Sequence, residues 1–197
     1  MQRVIPGTTL KFAEQARESA FSLIAPVLEA TGGLTLSQLS TLTGLGGSTI
    51  QNWIKRGWVS ATTGKKYSEK QVLRILLINM LRSAMKLDDI AKLMSYVNGD
   101  VDDNSDDIIA DIHLYNMLCR IIFKAEDGYR FTPDAVRELI SAEIEAHKCD
   151  IANAEKLSKA MFVMVMGYHS GRLKAVMEEV LENVIEEVNS GSYGRDA

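Results

Sequence analysis

Apolar residues along the chain fall mostly three or four positions apart, the spacing of helices that bury one face. Leu10, Phe12, Phe21, Ile24 and Leu28 predict a first helix from Thr8 or Thr9 to about Ala30, kinked at Pro26 and ended by Gly32-Gly33. Thr35 is a good N-cap for a short helix over 36–43, whose Leu36, Leu39 and Leu42 share a face. The run Gly44-Leu45-Gly46-Gly47 reads as a turn, after which Ser48 is placed to cap a second short helix over 49–56 with Ile50, Trp53 and Ile54 inward. Gly57 stops that helix. Trp58 and Val59 predict a strand, and residues 62–67 a polar hairpin returning from it.

Ser68 with Gln71 three residues on is a capping box, opening a helix to about Ala84 that buries Val72, Leu73, Leu76, Leu77, Met80 and Leu81. Asp88 is read as the cap of the next helix, closed by Asn98-Gly99. Residues 99–107 are acidic and poor in apolar side chains, and are the best linker candidate. Beyond them, Ile108 to Ile122 predict one helix, and Thr132-Pro133 starts another with proline in its first turn. Everything to about Asn189 is then helix-compatible, apart from an expected break at Gly167-Tyr168-His169-Ser170-Gly171. The expectation is a mainly α-helical protein in three stretches: an N-terminal helix over 1–33, a compact unit over 34–98, and a helical bundle over 106–190.

Two short helices joined by a glycine turn, the second ending in a basic pair, form the helix-turn-helix pattern. The leucines of the first hold the second at a fixed angle, leaving Thr49, Gln51, Asn52 and Lys55 outward. Glutamine and asparagine can bond adenine through two hydrogen bonds, and lysine reaches guanine or phosphate. The amides of Ser48 and Thr49, at a helix N-terminus, favour a phosphate. Lys65 and Lys66 would project from the glycine-tipped wing, and Tyr67 would either bond a phosphate or pack beneath it.

The charge distribution agrees. The whole chain carries −4, but residues 46–86 hold eight basic residues against Glu69 alone, a net +7, and residues 87–112 reverse this to −7. It is the local field that attracts phosphate. Double-stranded DNA is therefore the expected partner, contacted by Ser48, Thr49, Gln51, Asn52, Lys55, Arg56, Lys65, Lys66 and Tyr67.

The residues from Leu34-Thr35-Leu36-Ser37-Gln38-Leu39 to Trp53-Ile54-Lys55-Arg56-Gly57-Trp58-Val59 resemble the start of a MerR-type DNA-binding domain. The continuation is similar in order: Lys66-Tyr67-Ser68-Glu69-Lys70 leading into a helix, then the step Leu87-Asp88-Asp89-Ile90. The resemblance covers about 65 residues and implies a winged helix-turn-helix followed by two more helices. More narrowly, Gly64-Lys65-Lys66-Tyr67-Ser68 and Asp111-Ile112-His113-Leu114-Tyr115-Asn116 are similar to a bacterial MerR-like family with a helical C-terminal half. Gln51-Asn52-Trp53 stands where MerR proteins usually carry arginine and tyrosine, so the resemblance does not carry over a base preference.

Other chemistry finds little support. Cys119 and Cys149 make no disulfide framework, and with His113 and His147 they lack the spacing of a zinc site. No phosphate loop, nucleophile elbow or paired-carboxylate signature appears, so neither an enzyme nor a cofactor is expected. The longest apolar run, near Met161–Gly167, is too short to span a bilayer, and the N-terminus has no apolar targeting core, so a cytoplasmic protein is expected. The methionine-rich stretch 161–166 is read as core in preference to a ligand pocket, and no residue pattern argues for a small-molecule effector. One short recognition helix reads too few base pairs for useful specificity, so a homodimer on a two-fold site is expected, with the amphipathic helix 173–185 as its interface. The rival is a protein-interaction module in which Trp53 and Trp58 anchor a partner.

Overall fold

Helix α4 (Glu69–Leu81) sets the architecture, because residues 71–78 are buried in unbroken succession, on every side of the helix. A helix that is apolar all round must be surrounded, and α4 is packed by α2 (Leu36–Thr43), α5 (Leu87–Asn98), α6 (Asp111–Asp127) and α8 (Ile151–Asn189). The computed structural model describes residues 3–62, 64–103, 107–128, 131–148 and 151–190. Among these are α1 (Ala25–Thr31), β1 (Leu34–Thr35), α3 (Gly47–Lys55), β2 (Lys66–Tyr67) and α7 (Pro133–His147), besides the five helices just named. The protein is mainly helical, and a two-stranded sheet among the described residues pairs β1 with β2 antiparallel, Leu34 opposite Tyr67. No helix among the described residues is long and apolar enough to cross a membrane.

The N-terminal segment is not the long helix that its apolar spacing predicts. It forms a bridge between Val4 and Lys11, two 3-10 turns (Glu14–Arg17 and Ala20–Leu23), and then α1, with Pro26 in the first turn. Tertiary hydrogen bonds replace the helical ones: the Tyr115 hydroxyl donates to the Pro6 carbonyl at 2.7 Å, and the Phe21 amide donates to Asn116 Oδ1 at 3.0 Å. Ile5, Ala16, Phe21 and Ile24 are thereby laid onto the core as an irregular strap.

Nor do residues 99–107 separate two cores. The Ile108 amide donates to the Val97 carbonyl, and Asn98 Nδ2 to Asp111 Oδ1 at 3.0 Å, folding the segment back at once. Leu76 and Leu77 of α4 lie in the same apolar cluster as Leu114 and Leu118 of α6 and Met161 and Met164 of α8. The division at 98–106 is a change of charge, not of core. Residues 104–106, within the predicted linker, lie outside the described residues, as does Cys149.

The expected break at 167–171 is absent: α8 runs unbroken through it. The glycines serve packing, since α8 crosses the end of α4 there. A Cβ on Gly167 would meet Met85 Sδ at 3.3 Å, and one on Gly171 would overlap the Ser83 hydroxyl. His169 between them stacks on Phe131, ring centroids 3.8 Å apart. Met161, Met164 and Val165 are buried, so the methionine-rich stretch is core.

Candidate nucleic-acid interface

The candidate surface is built on α2 and α3. Thr35 caps α2 and exchanges hydrogen bonds with Gln38, whose side chain returns to the Thr35 amide at 2.8 Å. Gly44 ends α2 at φ +71°, a left-handed conformation that lets the chain turn without strain. The cap of α3 is Gly46, not Ser48, which sits one turn position further in with its side chain exposed. At Gly47 a Cβ would stand 3.1 Å from Leu36 Cδ2, a tight approach that a larger residue would meet only by shifting the Leu36 side chain. The Thr49 amide is already bonded to the Gly46 carbonyl at 3.0 Å, which leaves it poorly placed to receive a phosphate.

Ile50 and Trp53 of α3 are fully buried, and Ile54 is partly so. Ser48, Gln51, Asn52 and Lys55 are all exposed, and their spacing of three, four and seven puts them on one face. Thr49 lies half-buried at its flank, and Arg56, the C-cap, is exposed with its guanidinium 5.1 Å from the Trp58 ring centroid. The outward face is thus polar with a basic C-terminal end, and nothing apolar competes for it.

The loop after α3 differs from the predicted hairpin. Trp58 and Val59 form no strand: the Trp58 amide turns back to the Trp53 carbonyl at 3.0 Å, and Val59 is buried. Two α4 side chains hold the loop from beneath, Gln71 Nε2 donating to the Ser60 carbonyl at 2.9 Å and Arg74 Nε to the Trp58 carbonyl at 3.3 Å. The returning strand β2 pairs instead with β1. Gly33, at φ +108°, makes this possible, because a Cβ there would stand 2.6 Å from the Tyr67 carbonyl oxygen.

That pairing sorts the predicted wing residues. Lys65 is exposed at the loop, beside Gly64, while Thr63 lies outside the described residues. Lys66 Nζ bonds the Thr31 carbonyl at the C-terminus of α1, where a cation is favoured. Tyr67 is 5% exposed and belongs to the core, and burial raises its hydroxyl pKa. Of the two roles open to Tyr67, packing is the one realised, and its hydroxyl is not presented beside the lysines.

Arg74 also leaves the basic field in which the sequence counts it. Its side chain is 7% exposed, with Nη1 at 3.9 Å from Oδ1 of Asp111, itself 9% exposed. Burial lowers the Arg74 pKa and raises that of Asp111, the mutual attraction only partly opposing each shift. The available signal was its place inside Val72-Leu73-Arg74-Ile75, a stretch with no solvent face.

Asn79 was likewise missed. Its Nδ2 donates to the carbonyls of Gly7 and Thr43, both at 2.9 Å, tying the end of α2 and the N-terminal strap to α4. Elsewhere, Cys119 is buried, with its thiol pKa pushed well up by desolvation, and the His113 and His147 rings lie 5.3 Å apart. No group of three or more potential metal ligands occurs among the described residues.

Comparison with known proteins places this surface inside a shared unit. Residues 28–118 match the family described as "Domain of unknown function (DUF1836)", a stretch running from the end of α1 into the middle of α6. Within the curated proteins, "Uncharacterized protein YkrK" of Bacillus subtilis (strain 168) is 31% identical over 91 residues, 44% of this chain and 39% of that protein. The chain therefore aligns with about two fifths of that relative's length. No solved structure matches the chain significantly.

Proposed function

We propose that the protein binds DNA sequence-specifically through α3 and the loop that follows it, as a transcriptional regulator acting as a homodimer on a two-fold site. The observation that carries this reading is the split of α3: Ile50 and Trp53 fix it to the core, while Ser48, Gln51, Asn52 and Lys55 stand exposed in a row. In this reading α2 and α3 are a helix-turn-helix, similar to that of MerR-type proteins, and the 57–66 loop is its wing. Gln51 and Asn52 read base edges, with Thr49 at the flank, and Lys55, Arg56 and Lys65 supply phosphate affinity. Lys66 contributes charge from its seat on α1.

Burial of Trp53 weighs against the rival in which the tryptophans anchor a partner protein, since a side chain committed to the core is no anchor. Trp58, partly buried against the core with Arg56 beside it, is also poorly placed for that role.

The test is a fluorescence-anisotropy titration with random duplex DNA at several salt concentrations, followed by operator selection. Lys55→Glu with Lys65→Glu should weaken binding to all sequences and flatten the salt dependence by about two phosphate contacts, each adding roughly 0.9 to the log–log slope. Asn52→Ala should instead cost roughly 1–3 kcal/mol of discrimination on the selected site. Absence of salt-dependent binding would overturn the reading, and an Asn52→Ala protein with unchanged selectivity would overturn the orientation of α3.

A further inference from the structure

The largest unexplained apolar feature lies on the second half of α8. Its first half is packed, with Leu157, Met161, Met164, Val165 and Tyr168 all buried. From Val176 onward every described residue is exposed. Yet Leu173, Val176, Met177, Val180, Leu181, Val184, Ile185 and Val188 are large and apolar, with exposures from 43% to 58%. At 100° per residue these eight occupy one half of the helix circumference. Among the described residues only Val27, Tyr96 and Val163 otherwise expose a large apolar side chain comparably.

We infer that this stripe is the surface along which two copies of the chain join. At those exposures the eight side chains present on the order of 700 Å² of apolar surface, more than the scattered exposure ordinary monomers tolerate. It approaches the roughly 800 Å² that each partner brings to a stable interface. A second argument comes from helix stability. Residues 172–189 extend about 27 Å at 1.5 Å per residue, and five of them, Val176, Val180, Val184, Ile185 and Val188, are β-branched. They prolong a helix already nucleated by its packed first half, but β-branched side chains propagate it weakly in water, and burial of the stripe supplies the tertiary support they lack.

That support must be present whenever the chain is folded, and a second copy meets the condition without any other component. A membrane surface is the wrong occupant: Glu178, Glu179, Glu182 and Glu186 line the stripe's polar side and Glu187 falls within the stripe itself, against only Arg172 and Lys174, and anionic headgroups would repel them. The interface rests on the homodimeric reading proposed above but is tested apart from DNA.

The experiment is size-exclusion chromatography with light scattering on the full chain at tens of micromolar, for the natural sequence and for Val180→Glu with Val184→Glu. The natural chain should have the mass of a dimer, and the double variant that of a monomer, its self-association weakened roughly a hundredfold or more. Native Trp53 fluorescence in the variant shows that the core is intact, and Glu179→Lys, on the opposite side of the helix, should remain dimeric. A monomeric natural chain with full helical circular dichroism, or a double variant that stays dimeric, would overturn the inference. If the variant dissociates while the natural chain ignores DNA, only the DNA reading falls. If DNA is bound and the variant stays dimeric, only this interface falls.

Discussion

The Arg74–Asp111 pair allows a sharp test of how the two halves of the chain are joined. At 3.9 Å, with an effective dielectric constant of 20, the attraction is about 4 kcal/mol. Both groups nevertheless shift toward their neutral forms, so burial costs more than pairing returns. Asp111→Leu leaves a buried guanidinium with the Trp58 carbonyl and the weaker attraction of Asp107, and should cost about 3 kcal/mol, or roughly 6–12 °C in Tm for a chain of this size. Arg74→Met strands a carboxylate that can escape by taking up a proton. Its folded-state pKa then rises further above 3.8, so the cost should be small in acid and grow as pH rises through the interval between that value and the folded pKa. The double variant Arg74→Met with Asp111→Leu removes both charges and should recover much of the loss, short of the roughly 1–3 kcal/mol for the buried Asn98 amide that loses its acceptor. Urea unfolding followed by circular dichroism gives the four corners of the cycle. Additive single costs below about 1 kcal/mol each would show that the pair is solvated and refute the reasoning. DNA affinity of Arg74→Met should keep its natural salt slope, because this arginine is not on the surface.

Three substitutions test the backbone and the core elsewhere. Gly7→Ala should destabilise by more than about 2 kcal/mol in urea, since φ is +76° and the new Cβ falls on the Leu76 carbonyl. Gly167→Ala should raise Tm slightly, gaining up to about 1 kcal/mol in helix propensity while pressing only on the flexible Met85 thioether; a lower Tm would mean that the crossing has no slack. His169, partly buried against Phe131, has its pKa lowered by desolvation, so the unfolded chain binds its proton more readily. Its contribution is therefore complete above pH 6.5 and lost as pH falls from that value through the lower folded pKa, and urea midpoints at pH 7.5 and 5.5 should differ less in His169→Phe.

The sequence made three helix starts legible. Thr35, Ser68 with Gln71 and Thr132 with Pro133 each mark a start that the structure keeps, whereas Ser48 and Asp88 lie two residues beyond the caps Gly46 and Lys86. It misleads where a local preference is outweighed by a contact distant in the chain. The N-terminal strap has helical spacing, but its hydrogen-bonding groups find Tyr115, Asn116 and Asn79 instead. Gly167 and Gly171 look like breaks because a glycine that frees the backbone and one that admits a neighbour are the same letter. β2 has too few residues to announce its partner, and Lys66-Tyr67 reads equally well against Val59 or Thr35. On the candidate site, a 3.6-residue period alone puts Gln51, Asn52 and Lys55 outward on α3, but it counts Thr49 with them, which lies half-buried while Ser48 takes the exposed place. The fates of Lys66 and Arg74 do not, because a basic residue carries no mark of whether its charge will meet water, a helix end or a buried carboxylate.

The extent of the family match bears on which parts act together. A division at the acidic segment would have ended the shared unit near Asn98, but the match continues to Leu118. It therefore includes both Arg74 and Asp111, and Asn98, whose amide joins α5 to Asp111. Those contacts lock α6 against α4, and α4 in turn holds the loop through Gln71 and Arg74 and the end of α2 through Asn79. The smallest piece that can present α3 rigidly is therefore longer than the two-helix motif and its wing: it needs the first turns of α6. Outside the match lie residues 1–27, the second half of α6, α7 and all of α8. If α3 reads DNA and the α8 stripe pairs two copies, the reading surface belongs to the shared unit and the spacing of the two half-sites to this chain's own helices. Operator selection on the natural chain beside Val180→Glu with Val184→Glu would test that directly: the variant should keep the half-site and lose the fixed spacing, and a variant that still selects one spacing would defeat it.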